Sequence, residues 1–125
     1  MVSEPVSHVG SAATALRYAG ATLVACHSAH VFHGVQGPVL YDLGDFIDDD
    51  AIDPRLRNDL GLLFLITFDG ARPVLIEGMP LALDCCYTRL ANRDETSWIV
   101  HRFREACAEF GTEMGEQASL VVIVC

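Results

Sequence analysis

An α/β fold built on a mixed sheet is predicted by three features of this 125-residue chain. Two segments carry apolar residues at helical spacing. Several short apolar runs, bounded by Gly, Pro or Asp, have the length of strands. An Asp-Gly pair at residues 69–70 joins two of those runs in a tight turn.

Residues 5–19 form the first predicted helix, with Val6, Val9, Ala13 and Leu16 on one face and Gly20 at the C′ position that favours glycine. A short apolar strand at 22–26 follows. A helix, one glycine and a buried strand make the second half of a βαβ unit. The first strand of that unit is absent, so the chain is expected to be part of a larger domain. A strand is predicted at 38–43 and an acidic loop at 44–58. Residues 60–68 are apolar at nearly every position, which suits a central strand covered on both faces. The chain returns as a strand at 73–77. A second helix runs from about 93 to 110. Asn92 and Glu95 have capping-box spacing. Val100, Phe103, Cys107 and Phe110 mark its apolar face, and Gly111 marks its end. The last strand is 119–124, and the order is α-β-β-β-β-α-β.

Composition narrows the function classes. The net charge is −9, and every basic residue is Arg. Neutralising a nucleic-acid backbone takes a basic patch, so nucleic acid is not an expected partner. The longest apolar runs, 61–68 and 120–125, fall far short of a membrane span of about 20 residues. Residues 1–5 include Glu4 and lack a basic n-region, so no signal peptide is read and a cytoplasmic location is expected. Five cysteines, one adjacent pair among them and no CxxC, do not make a disulfide framework. Buried, inert thiols are expected.

The chemistry concentrates in residues 26–34, where His27, His30 and His33 fall just past the end of a predicted strand. Ligand sites of α/β sheets favour that edge. Neutral imidazole ligates Zn, Mn or Fe, and a His-x-x-His pair can place two nitrogens on one ion. Two ligands do not complete a site, because catalytic zinc takes three from the protein. Partly exposed loop histidines are the plain alternative. Asp45, Asp48, Asp49, Asp50 and Asp53 fail the EF-hand pattern and suit a solvated loop. His101, Arg102 and Arg104 suit a helix surface, and His8 has no evident partner. No Gly-x-Ser-x-Gly, P-loop or Gly-x-Gly-x-x-Gly occurs.

The run His27-Ser28-Ala29-His30-Val31-Phe32-His33-Gly34, followed by Pro38-Val39-Leu40-Tyr41-Asp42-Leu43-Gly44-Asp45-Phe46, resembles a paired signature of CapA-type domains of capsule and poly-γ-glutamate synthesis. There a strand ends in Gly-His-x-x-His-Val, and a Tyr-Ser-Leu-Gly-Asn-Phe-like strand follows. The resemblance covers roughly residues 5–80 and loosens beyond them. It implies the C-terminal part of a metallophosphatase-like α-β-β-α sandwich over residues 1–125. Its late histidine pair would be His27 and His30, in catalytic and metal-binding roles, with Asp45 as a further metal residue. The implied cofactor is a divalent transition metal (Mn, Zn or Fe). The implied substrate is a small or polymeric phosphoester, or polyglutamate. Cys26 stands where Gly is usual, Asp42 where Ser is commoner, and Asp45 where Asn is commoner. The resemblance places the family's early Gly-Asp motif, its Asn-x-Glu-like segment and its middle His N-terminal to residue 1. A two-metal phosphoryl site needs those carboxylates, so the chain is expected to be inactive alone.

The alternative is a non-catalytic or small metal-binding module, using His27, His30 and His33, that completes its sheet with a partner chain. Two structural expectations follow. His27 and His30 should face one cavity. The sheet should expose an apolar surface able to support a homo-oligomer.

Overall fold

A computed structural model describes residues 2–47 and 51–125. Among them are two helices, a mixed three-stranded sheet and a five-stranded antiparallel sheet. Helix α1 spans Ser7–Tyr18. It ends in a Schellman arrangement, with Gly20 N–H donating to the Arg17 carbonyl and Ala21 N–H to the Leu16 carbonyl. The glycine sits at φ +106°, where the sequence places the stop.

The small sheet has the order β1-β3-β2. Strand β1 (Val24–Ala25) runs parallel to β3 (Val39–Leu40), and β2 (Val35–Gln36) pairs antiparallel with β3. The expected strands at 22–26 and 38–43 are thus present as short cores, and β2 is an addition. Its hairpin extends past the named strands: Phe32 bridges Leu43, His33 N–H donates to the Asp42 carbonyl, and Tyr41 N–H donates to the Gly34 carbonyl. Helix α1 covers this sheet through a cluster of Ala13, Val24, Val39 and Tyr41.

The large sheet has the order β4-β5-β8-β7, with β6 also on β5. Strand β5 (Arg72–Asp84) pairs along one edge with β4 (Leu60–Asp69). Along its other edge it pairs with β8 (Leu120–Val124) and β6 (Tyr87–Leu90), and β7 (Gly115–Gln117) closes against β8. Residues 60–68 are therefore an edge strand and not a central one. Leu60, Leu62, Phe64 and Ile66 reach the core, whereas the alternate side chains Leu63 and Leu65 stand 36% and 44% exposed. An apolar run without alternation cannot distinguish a strand covered on both faces from one whose outer face is left open. The register continues that outer face through Leu63 opposite Met79, Leu65 opposite Glu77 opposite Val122, and Leu75 opposite Val124, which is 80% exposed. No helix covers it among the described residues.

Helix α2 spans Arg93–Ala108 and is entered through the expected capping box. Asn92 Oδ1 accepts from Glu95 N–H, and the Glu95 carboxylate accepts from Asn92 N–H. Its buried face, Ile99, Val100, Phe103, Ala106 and Cys107, lies between the two sheets. Phe103 meets Phe32 of the histidine segment at 6.0 Å and Phe64 of β4 at 5.8 Å between ring centroids. Beyond the helix, Phe110 stacks on Tyr41 at 4.6 Å. No helix is long and apolar enough to cross a membrane among the described residues.

Candidate functional site

The histidine segment leaves the end of β1 as a loop and returns as the strand that pairs with residues 40–43. Asp42 holds it in shape. This carboxylate is buried, and its two oxygens accept from Ala29 N–H and Gly44 N–H, each at 2.9 Å. One charged group thereby satisfies a donor from each side of the loop, the stronger kind of hydrogen bond. Gly44 must be glycine: it sits at φ +71°, and a Cβ there would meet the Phe32 nitrogen at 2.9 Å.

The loop that Asp42 clamps is strained. Ser28 lies at φ +104° and His30 at φ +65°. Left-handed backbone is uncommon for residues with a Cβ, and each instance costs on the order of 1–3 kcal/mol. Such strain persists only where surrounding contacts impose it.

The three histidines are used differently. His27 is exposed, and its Nδ1 lies 3.0 Å from Ser28 Oγ. The Nδ1 of His30 lies 3.2 Å from both oxygens of Asp45. His33 is only 3% exposed. Its Nε2 lies 3.0 Å from the Val2 carbonyl, which can only accept, so Nε2 carries a proton. His33 Nδ1 is buried and finds no partner among the described residues.

A cleft of about 350 Å³ lies here, lined by His8, His27, His33, Tyr41 and Asp42 together with the N-terminal arm. His27 and His30 are not brought together in it, because His30 is not among its lining residues and turns to Asp45. Asp45 in turn contacts the His30 ring directly. The acidic residues Asp48, Asp49 and Asp50 lie outside the described residues. The Asp53 carboxylate accepts from Leu56 and Arg55 N–H, which hold it below the usual carboxylate range. Among the described residues, no three of His, Cys, Asp and Glu gather where one ion could be held.

Cys26 stands half-buried beside the clamp; burial, then the Asp42 charge, push its thiol above the ordinary value. On α2, His101 pairs with Glu105 at 3.4 Å and Arg104 with Glu116 at 2.7 Å, both at the surface. Arg102 donates to the Ser3 carbonyl at 2.7 Å and pins the N-terminal arm.

The pairing of His33 with Asp42 was missed in the sequence. Its signal is the hairpin turn at Gly37-Pro38: register counted back from it sets these two residues opposite one another on one face. No family model matches the chain, and no match is found among curated proteins.

Proposed function

We propose that this chain is the late, histidine-bearing part of a CapA-type metallophosphatase-like domain of capsule or poly-γ-glutamate synthesis. In this reading His27 and His30 contribute to a divalent-metal site for a phosphoester or polyglutamate substrate. One observation carries the reading: His30 is engaged through Nδ1 by the Asp45 carboxylate, on a strained loop clamped by Asp42. Metal-ligating histidines are commonly oriented this way, by a carboxylate on the nitrogen that does not coordinate. In this reading Asp45 orients His30, alongside the metal role that the family motif implies for it.

The donor set fits an ion only in part. His27 and His30 are imidazoles suited to Mn, Zn or Fe, but His27 lines the cleft while His30 turns to Asp45, so an ion would have to draw the two rings together and take further ligands from outside the described residues. When bound, the metal would supply a polarised phosphoryl oxygen and a water of lowered pKa. This chain's own contribution is to fix the His30 tautomer through Asp45 and to hold the loop through Asp42.

The test is turnover of p-nitrophenyl phosphate and bis-p-nitrophenyl phosphate under Mn²⁺, Zn²⁺ and Fe²⁺. The chain alone should show none. Turnover that disappears in a His27→Ala/His30→Ala variant would contradict the claim that the site is partial.

A second reading, a module that completes its sheet with a partner chain, draws on the uncovered outer face around Leu63, Leu65 and Val124. A homo-oligomer through that face should appear as a concentration-dependent mass in light scattering. Leu65→Lys should abolish it, and a monomer at every concentration would count against it.

A further inference from the structure

A second cluster lies at the tip of the β5–β6 hairpin, whose Thr88 hydroxyl donates to the Phe46 carbonyl next to Asp45. Asp84 pairs with Tyr87, so Cys85 and Cys86 are the two central residues of a two-residue turn. Both side chains are exposed thiols, and their sulfurs lie 4.0 Å apart. Cys86 occupies φ +58°, a position where glycine or asparagine is the usual choice. The hairpin base is braced by Arg89, which donates to Asp84 at 2.7 Å and to both Glu95 oxygens at 3.0 Å. The two thiols are therefore presented together on a fixed support.

Two fates are open to adjacent thiols, and distance separates them. Neighbouring Cα atoms sit about 3.8 Å apart across a trans peptide. Ordinary disulfides need about 4.4–6.8 Å between Cα atoms and about 2.05 Å between sulfurs. Closure would thus require the sulfurs to approach by about 2 Å against the backbone. A soft centre bonded to both sulfurs at about 2.3 Å spans roughly 3.3–3.8 Å between them for bond angles of about 90–110°. The observed spacing needs only a small side-chain rotation to reach that span.

We propose that Cys85 and Cys86 form a dithiol site for trivalent arsenicals, soft centres that are satisfied by two thiolates and one further bond. With an arsine oxide the reaction is balanced without an oxidant. Two S–As bonds form, the arsenic–oxygen bond breaks, and the oxygen leaves as water with the two thiol protons. Arsenic stays trivalent. The second S–As bond forms intramolecularly, which raises affinity by roughly 10²–10⁴ over a single thiol.

The probe is phenylarsine oxide, one equivalent, read by intact mass in the presence of excess 2-mercaptoethanol. The native chain and Cys125→Ser should each hold one phenylarsenic group against the monothiol and release it to 2,3-dimercaptopropanol. Cys85→Ser and Cys86→Ser should each bind at least about 100-fold more weakly. Cys86→Gly removes the same thiol while suiting the positive φ, so it reports the lost sulfur even if the serine variant is poorly folded. Release of the group from the native chain by the monothiol would overturn the assignment. Equal retention by Cys85→Ser or Cys86→Gly would overturn it as well.

Discussion

Replacing Gly34 by alanine tests whether the histidine segment and α2 are one packed unit. A Cβ at residue 34 would stand 2.2 Å from the Ala106 carbonyl oxygen and 2.5 Å from its carbon. Ordinary contacts between carbon atoms are about 3.5–4.0 Å, so the strand and the helix must separate by about 1 Å. The obstruction is helix backbone, which cannot rotate away. Separation also loosens Phe103, Ile99 and Cys107, all fully buried on that helix, and a gap of 0.5–1 Å forfeits roughly a quarter to a half of each dispersion well. Overpacking costs about 1–3 kcal/mol, and a backbone obstruction belongs at or above the top of that range. The expected loss is about 3 kcal/mol out of a total of about 5–15 kcal/mol. The assay is urea unfolding followed by fluorescence of Trp98, which is half-buried on the same helix. Gly10→Ala is the control: it lies inside α1 with nothing within 4 Å of the added atom. It should stabilise by about 0.5–1 kcal/mol from helix propensity. A loss below about 1 kcal/mol for Gly34→Ala, with native circular dichroism, would refute the described packing.

Asp42→Asn should destabilise by about 1.5–3 kcal/mol in the same assay, because an amide can accept from only one of the two N–H groups, Ala29 and Gly44, that the carboxylate serves. Asn92→Ala should cost about 1 kcal/mol by removing one arm of the capping box, and Asn92→Ser should restore most of it. Burial pushes the Cys107 thiol up to about 11, so the folded state favours the uncharged form. Its contribution to stability is complete below the ordinary thiol value and is lost as pH rises from about 9 to about 11. Cys107→Ala should flatten that alkaline fall. In the native chain at pH near 8, a disulfide reagent should modify Cys85 and Cys86 well before Cys107.

The helices were legible because their ends carry chemistry that acts locally: Gly20 closing α1, and Asn92 with Glu95 opening α2. Strands β1 and β3 were legible as apolar runs, but their lengths were not, since a strand ends where its partner does. The position of β4 in the sheet was illegible for a different reason. Leu63 and Leu65 are as apolar as Leu60 and Leu62, and only the placement of α2 decides which face is covered. Strand β6 and the full length of β5 depend on the turn at Cys85-Cys86, which carries none of the usual turn residues. In the site, histidine spacing marked the loop, and the motif marked Asp45. The role of Asp42 depends on two backbone N–H groups 13 residues and 2 residues away, contacts that side-chain patterning does not encode.

His27 and His30 are proposed to contribute to a divalent-metal site, with Asp45 orienting His30. The most direct measurement is a Zn²⁺ titration followed by the ring-nitrogen shifts of ¹⁵N-labelled histidine. Coordination shifts are expected at Nε2 of His27 and His30, with His30 Nδ1 retaining its proton toward Asp45. Asp45→Asn should weaken binding by about 10–100-fold, as loss of an orienting partner does. Shifts confined to His8, His33 or His101, with His27 and His30 unchanged at saturating metal, would contradict the proposed site.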